Sequence, residues 1–345
     1  MTFASRAMKR VAAVAVASVA AAALLAGCST SGSGDSSNAT GGVKQISFQT
    51  SWVPSVQFSG SYLADSEGYY KKQGLQVKFL PGGPDVDPLA VVAAGKADIG
   101  LSNADFVARA NAQGAGLVMI AAGFQQDPFT ILSSPDKPLK RPQEMIGKKI
   151  GVPSADDALW QAFLKINKID PSKVTEVPVG FDVAPLVSGE VDGLLSFYTE
   201  QPTSYKEATG KEGVNMLVGD YGLNVYAQVY VVRKADLADA TKRKEIEGFM
   251  KAELKGWNDY VKDPQKAVDL TVNNYAKDGG LNADQQLAQA KLQLDLLVTP
   301  ETKKNGLLWI SQDGIKENLK TFDALGIKGA DKSIFDTSIQ SKLAG

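Results

Sequence analysis

Apolar and polar positions follow two different periods along this chain, and the change from one to the other divides it. Gln45 to Gln49 (QISFQ) and Leu75 to Leu80 (LQVKFL) alternate with the period of two that a strand with one buried face requires. Between them, Phe58 to Gln73 carries apolar residues at helical spacing and stops at Gly74, which can take the left-handed conformation of a helix end at no steric cost. Leu89 to Ala94 closes a short helix before Gly95, Ala97 to Leu101 is a third strand, and Leu117 to Ala122 is a fourth. Strands separated by helices of this length predict parallel pairing through right-handed crossovers, hence an open α/β sheet.

The pattern then restarts. Lys148 to Val152 reads as a strand, Asp157 to Asn167 as a helix, Val174 to Val177 as a strand, Val183 to Ser188 as a helix and Val191 to Ser196 as a strand. In both runs a short helix ends at a glycine (Gly95, Gly189) and an aspartate follows three residues later (Asp98, Asp192), just before a strand. This repetition predicts two similar lobes, 43–128 with 233–345, and 134–225. The apolar extended segments 129–133 (FTILS) and 226–232 (YAQVYVV) flank the second run and read as hinge crossovers. After Arg233 the spacing turns helical, over 242–261, 264–275, 284–297 and 310–325. Two crossings and a helical C-terminus returning to the first lobe describe a clam shell that closes on a ligand.

The N-terminus has another character. Arg6, Lys9 and Arg10 precede an acid-free apolar run that ends at Leu25-Ala26-Gly27-Cys28. The run is shorter than the ~20 residues a spanning helix needs, and small residues follow it, so 1–27 reads as a secretory signal. Leu-Ala-Gly-Cys resembles the bacterial lipobox, whose cleavage leaves a lipidated cysteine; Cys28 is the chain's only cysteine. Residues 28–42, rich in Ser and Gly, read as the lipidated residue and a flexible tether.

Composition narrows the chemistry. The formal charge is −1, and removing 1–27 takes away three basic side chains and no acidic ones. A mildly acidic chain without Lys/Arg blocks lacks the electrostatic footprint of nucleic-acid binding. Histidine is absent, which excludes His-based triads, metal sites and proton shuttles. No metal or cofactor is expected.

In open α/β sheets ligands bind beyond the carboxyl ends of the strands, so the loops there are the candidates. In the first lobe they offer Trp52, Ser55, Phe58, Gly82, Gly83, Asp85, Ser102, Asn103 and Gln125. In the second they offer Ser154, Asp156, Trp160, Phe197, Tyr198 and Glu200, with Tyr226 and Gln228 on the return crossing. Several have a plain structural alternative. Trp160 fits a helix-face core position, Tyr198 a sheet face, Trp52 a packing role under its loop, and Glu200 a cap on the helix begun by Gln201-Pro202. The set is rich in aromatic rings and amides and poor in Lys and Arg. That favours a flat heteroaromatic ligand over a sulfonate or nitrate, which would want Arg forks or helix N-termini.

Trp52-x-Pro54, Gly60-x-Tyr62-x-Ala64, Glu67-Gly68-Tyr69-Tyr70, Gly74-Leu75-x-Val77, Pro81-Gly82-Gly83-Pro84 and Gly95-Lys96-Ala97-Asp98-Ile99-Gly100 form a set over residues 46–105. That set resembles the solute-binding lipoproteins of ABC importers, in the branch handling thiamine pyrimidine precursors, riboflavin, alkanesulfonates and taurine. The resemblance implies an α/β, two-lobed clam shell of the periplasmic-binding-protein type II class. It also implies a monomer anchored to the cell membrane through Cys28, serving a permease and ATPase complex. Pyrimidine synthases and pyrimidine-precursor binders look like Trp-x-Pro-Asn-x-x-His over the first motif; here Ser55 stands for the Asn and Phe58 for the His. The synthase chemistry consumes that His, so the chain reads as a binder, not an enzyme. An anion-binding importer component is the alternative, followed by a pyrimidine-synthase-like enzyme and a non-transport surface lipoprotein.

Overall fold

The computed structural model describes residues 43–343, so the readings for 1–42, Cys28 among them, lie outside the described residues. Ten strands form two five-stranded sheets. The first contains β1 (Lys44–Gln49), β2 (Leu75–Leu80), β3 (Ile99–Ser102) and β4 (Leu117–Phe124). The second contains β5 (Phe129–Ser133), β6 (Lys149–Pro153), β7 (Thr175–Val179), β8 (Gly193–Phe197) and β9 (Val214–Leu217). The last strand, β10 (Ala227–Arg233), returns to the first sheet.

The strand orders, β2-β1-β3-β10-β4 and β7-β6-β8-β5-β9, follow one plan. In each sheet a parallel trio is joined by one antiparallel strand in the fourth position: β10 beside β3 and β4, β5 beside β8 and β9. The repeat seen in the sequence has a structural counterpart in both lobes. Gly95 and Gly189 end their helices at φ 71° and 77°. Asp98 then accepts a hydrogen bond from the Ser47 N–H of β1 (2.9 Å), and Asp192 one from the Lys149 N–H of β6 (3.0 Å). Each aspartate ties the incoming strand to the first strand of its sheet.

The segments expected to be hinges are in fact interior strands. All five residues of β5 and the first six of β10 are buried, because both strands have neighbours on either side and helices over both faces. An unbroken apolar run is what such a strand requires. The chain crosses between lobes beside them, over 125–128 and 222–226.

Helices complete each core. One face of the first sheet packs against Ser59–Ser66, Ala240–Lys262, Pro264–Leu270 and Ala283–Leu297, and the other against Pro88–Ala93, Ala104–Ala112 and Gln312–Ala324. Helices Ser59–Ser66 and Ala240–Lys262 approach so closely that a Cβ on Gly256 would lie 2.0 Å from the Gly60 carbonyl oxygen. Beside that contact Glu253 is wholly buried, and it accepts hydrogen bonds from Ser61, Tyr70, Tyr230 and Trp257. The helix expected over 58–73 is broken into a 3-10 turn at Val56–Phe58, then Ser59–Ser66 and Tyr69–Lys72, because Gly68 adopts φ 68°. No helix among the described residues is long and apolar enough to cross a membrane.

Candidate ligand-binding site

The carboxyl ends of the parallel strands of both sheets open onto one cavity of about 360 Å³, within the range that holds a small ligand. Seven of the residues singled out from the sequence line it: Trp52, Gly83, Ser102, Asn103, Asp156, Phe197 and Glu200. Trp52 follows β1, Gly83 follows β2, and Ser102 and Asn103 end β3 and begin the helix Ala104–Ala112. From the other lobe, Asp156 precedes the helix Asp157–Ile166, Phe197 ends β8, and Glu200 precedes the helix Gln201–Thr209.

Aromatic rings from both lobes meet here. Trp52 and Phe181 contact edge-on, with centroids 5.8 Å apart, and Phe129 and Phe197 do likewise at 5.8 Å. Phe106 also lines the wall, and Phe106 and Phe181 are 41% and 51% exposed. The Gln201 side chain holds the second-lobe pair in place. Its Oε1 accepts from the Phe197 N–H (2.8 Å) and its Nε2 donates to the Phe181 carbonyl (3.0 Å).

Gln57, also on the wall, is fixed from behind. Its carbonyl accepts from Gln228 Nε2 (3.1 Å) and Gln293 Nε2 (3.3 Å), while Gln286 Oε1 accepts from the neighbouring Val56 N–H. Gln228 is held at φ 48°, its backbone N–H reaches Asn103 Oδ1 at 3.4 Å, and its own Oε1 is buried without a partner. It stands behind two lining residues and not on the surface they form.

The cavity wall contains no Lys or Arg. Burial, and then the charge of Asp105, lift the Asp156 carboxyl to about 6, and burial lifts Glu200 to about 7. Behind them Asp127 is fully buried and held well above the usual carboxylate range, by burial against the hydrogen bond from the Phe129 N–H.

The other expected contacts lie elsewhere, each for a local reason. Phe58 is fully buried in the first-lobe core, and Trp160 is buried in the second-lobe core on the apolar face of its helix. Ser55 caps the 3-10 turn through the Gln57 N–H. Gly82 lies against the backbone of Thr50 to Trp52, where a Cβ would come within 2.6 Å, so the glycine serves packing. Gln125 donates to the carbonyls of Ala122 and Trp309, and Tyr198 donates to Asp295 at 3.2 Å. Tyr226 packs against the C-terminal helix and bonds the Ser311 N–H through its hydroxyl oxygen. Asp85 and Ser154 neighbour the lining residues without joining them.

Among the lining residues outside the sequence candidates, Phe181 follows β7 and so obeys the strand-end rule. Phe106 carries a weaker signal, one large apolar side chain on the exposed face of a short helix. Gln201 sits at the start of a helix and has no sequence signal that separates it from an ordinary first-turn residue.

Comparison with known proteins agrees with this layout. The chain is 21% identical over 253 residues, 72% of its length and 75% of the relative's, to the formylaminopyrimidine-binding protein of Halalkalibacterium halodurans. It is 24% identical to the riboflavin-binding protein RibY of Chloroflexus aurantiacus, over 74% of both chains. It is also 24% identical, over 64% of this chain and 66% of the relative, to 4-amino-5-hydroxymethyl-2-methylpyrimidine phosphate synthase of Schizosaccharomyces pombe. Among solved structures, the periplasmic aliphatic sulphonate binding protein SsuA of Escherichia coli matches with a TM-score of 0.58 at 17% identity, over 81% of this chain and 86% of that one. The two-lobed α/β architecture is thus the periplasmic-binding-protein fold. The family model described as NMT1/THI5 like matches residues 55–267, well over half of the chain, and the protein belongs to the NMT1/THI5-like family.

Proposed function

We propose that this protein is the extracytoplasmic solute-binding component of an ABC importer. It captures a small heteroaromatic compound of the flavin or thiamine-pyrimidine type and delivers it to a permease and ATPase complex. It acts as a monomer held at the cell membrane by lipidated Cys28. The observation that carries this reading is the cavity between the lobes, walled by Trp52 and Phe106 from one side and Phe129, Phe181 and Phe197 from the other. A flat ring seated there would lie against these side chains, each stacking contact contributing about 1–3 kcal/mol. A ligand that touches both lobes binds the closed state better, and it is this difference that drives closure. Catalysis has no support in the residues: the chain has no histidine, and Phe58 occupies the position of the one that the synthases consume.

One observation favours an alkanesulfonate or similar anion instead. The helices Ala104–Ala112, Asp157–Ile166 and Gln201–Thr209 all begin at lining residues, and none is capped by the side chain that precedes it. N–H groups at helix starts suit anions, although at Ala104–Ala112 the first is already given to the Tyr226 carbonyl. Two of those preceding residues are carboxylates, however, which oppose an anion at the same point. A thermal-shift screen of the full chain, stripped of carried-over ligand, separates the readings. Riboflavin, thiamine and its pyrimidine precursors are set against taurine, aliphatic sulfonates and nitrate. A ligand at a hundred times its dissociation constant stabilises by about 2.7 kcal/mol, which such a screen resolves. A response to sulfonates alone would overturn the heteroaromatic reading.

A further inference from the structure

Two carboxyl groups in the cavity have no side-chain partner among the described residues. Asp156, nine-tenths buried, and Glu200 both line the wall, and neither side chain accepts a hydrogen bond from any described residue. Each stands directly before a helix, where a carboxylate ordinarily caps the first turn, yet neither makes that bond. No basic side chain lines the cavity to offset them. The charge that acts on Asp156 is that of another acid, Asp105, and Asp156 in turn acts on Asp127, whereas Arg109, on the Asp105 helix, acts on Asp105. Removing a carboxylate from water without a counter-charge is costly, so such a site favours an occupant that supplies one. The rings of Trp52, Phe106 and Phe181 add faces that attract cations.

Building on the reading of this cavity as a heteroaromatic site, we propose that the ligand is bound as a cation, a protonated or quaternary nitrogen heterocycle. Its charged edge faces Asp156 and Glu200, and its ring lies against Trp52 and Phe181. Burial, with the charge of Asp105 beside Asp156, places the two carboxyls at about 6 and about 7, so both carry part of a proton near neutrality. An arriving cation favours their ionised forms and expels those protons to solvent. Binding therefore releases protons, and affinity rises with pH across this interval.

Isothermal titration calorimetry on the full-length protein in detergent tests this, in two buffers of different ionisation enthalpy and from about pH 5 to about pH 8. The probes are thiamine, 1-methylnicotinamide and protonated 4-aminopyridine as cations, riboflavin as a neutral ring and ethanesulfonate as an anion. The expected result is that at least one cation binds, about tenfold or more tightly at the upper pH than at the lower, with proton release near pH 6.5. Glu200→Gln and Asp156→Asn should each weaken that cation about tenfold or more and reduce the proton release, while thermal stability is kept or raised. Riboflavin binding with no cation bound would overturn the charge assignment and leave the heteroaromatic reading standing. Ethanesulfonate binding alone would overturn both. Cation binding that is independent of pH, or unchanged by both substitutions, would also overturn the proposal. Should a variant fail to fold, the pH dependence and proton count of the parent protein decide.

Discussion

The indole of Trp52 and the ring of Phe181 meet across the cavity at 5.8 Å, their planes inclined by 69°, one from the loop after β1 and the other from the loop after β7. Phe181 is half exposed and Trp52 is only partly buried, so neither ring is consumed by a core. Replacing either by alanine should weaken heteroaromatic binding about tenfold or more, roughly 1.4 kcal/mol. For Phe181→Ala the folding stability should stay within about 0.5 kcal/mol. Calorimetric titration beside chemical denaturation of each variant checks both halves of the expectation.

Trp160 should behave in the opposite way. It is 1% exposed in a cluster with Ile150, Phe163 and Leu195, and is not itself a lining residue of the cavity. Trp160→Ala should cost about 3–5 kcal/mol of stability through the void it leaves. The molecules that remain folded should bind ligand almost as before. Denaturation midpoints together with titration of the folded fraction measure this.

The Gln201 amide serves two backbone groups at once, the Phe197 N–H and the Phe181 carbonyl. Gln201→Leu keeps the volume and removes the partner of both groups, which are partly buried, a loss of about 1 kcal/mol for each bond. Because those groups carry two of the cavity rings, affinity should fall as well, with Phe181→Ala giving little further loss in the double variant. Affinities of the two single variants and the double variant, compared in a thermodynamic cycle, test whether Gln201 acts through Phe181.

Two glycines of the helix Ala240–Lys262 should respond differently to the same substitution. A methyl on Gly256 meets the Gly60 carbonyl oxygen at 2.0 Å, whereas one on Gly248 finds its nearest neighbour, Gln73 Cβ, at 3.4 Å. Gly256→Ala should destabilise by about 1–3 kcal/mol or more through overpacking. Gly248→Ala should be neutral or stabilising by up to about 1 kcal/mol, from helix propensity. Thermal midpoints of the pair decide it.

Stability of the ligand-free protein should decline as pH rises. Asp156 at about 6 and Glu200 at about 7 lie above the values near 4 of an unfolded chain. From about pH 4 to about pH 7 the folded state therefore retains protons that the unfolded state has lost, and stability falls over that span and levels off above it. Asp98, whose carboxyl is lowered by the hydrogen bonds from Ser47 and Lys242 against its burial, loses its contribution only at more acid pH. The double variant Asp156→Asn, Glu200→Gln should flatten the slope in a melting-temperature series.

Much of the fold was legible because it is written in local patterns. The alternation of β1 and β2 and the paired Gly-x-x-Asp turns at Gly95 and Gly189 each have a conformational cause confined to a few residues. Of the candidates taken from strand ends, Trp52, Asn103, Asp156 and Glu200 line the cavity. Trp160 and Phe58 lie in the cores instead, because an aromatic residue in a turn or early helix has the same sequence appearance whether it faces a core or a cavity.

The sequence by itself determined the two α/β runs, the poverty in basic candidates and the absence of histidine, since composition and periodicity do not depend on how the lobes meet. The tertiary structure alone decided that 129–133 and 227–233 are interior strands, that Phe106, Phe181 and Gln201 join the wall, and that Gln228 supports it from behind. Those facts rest on which element lies across from which. Long-range packing sets that pairing, and no window of neighbouring residues encodes it.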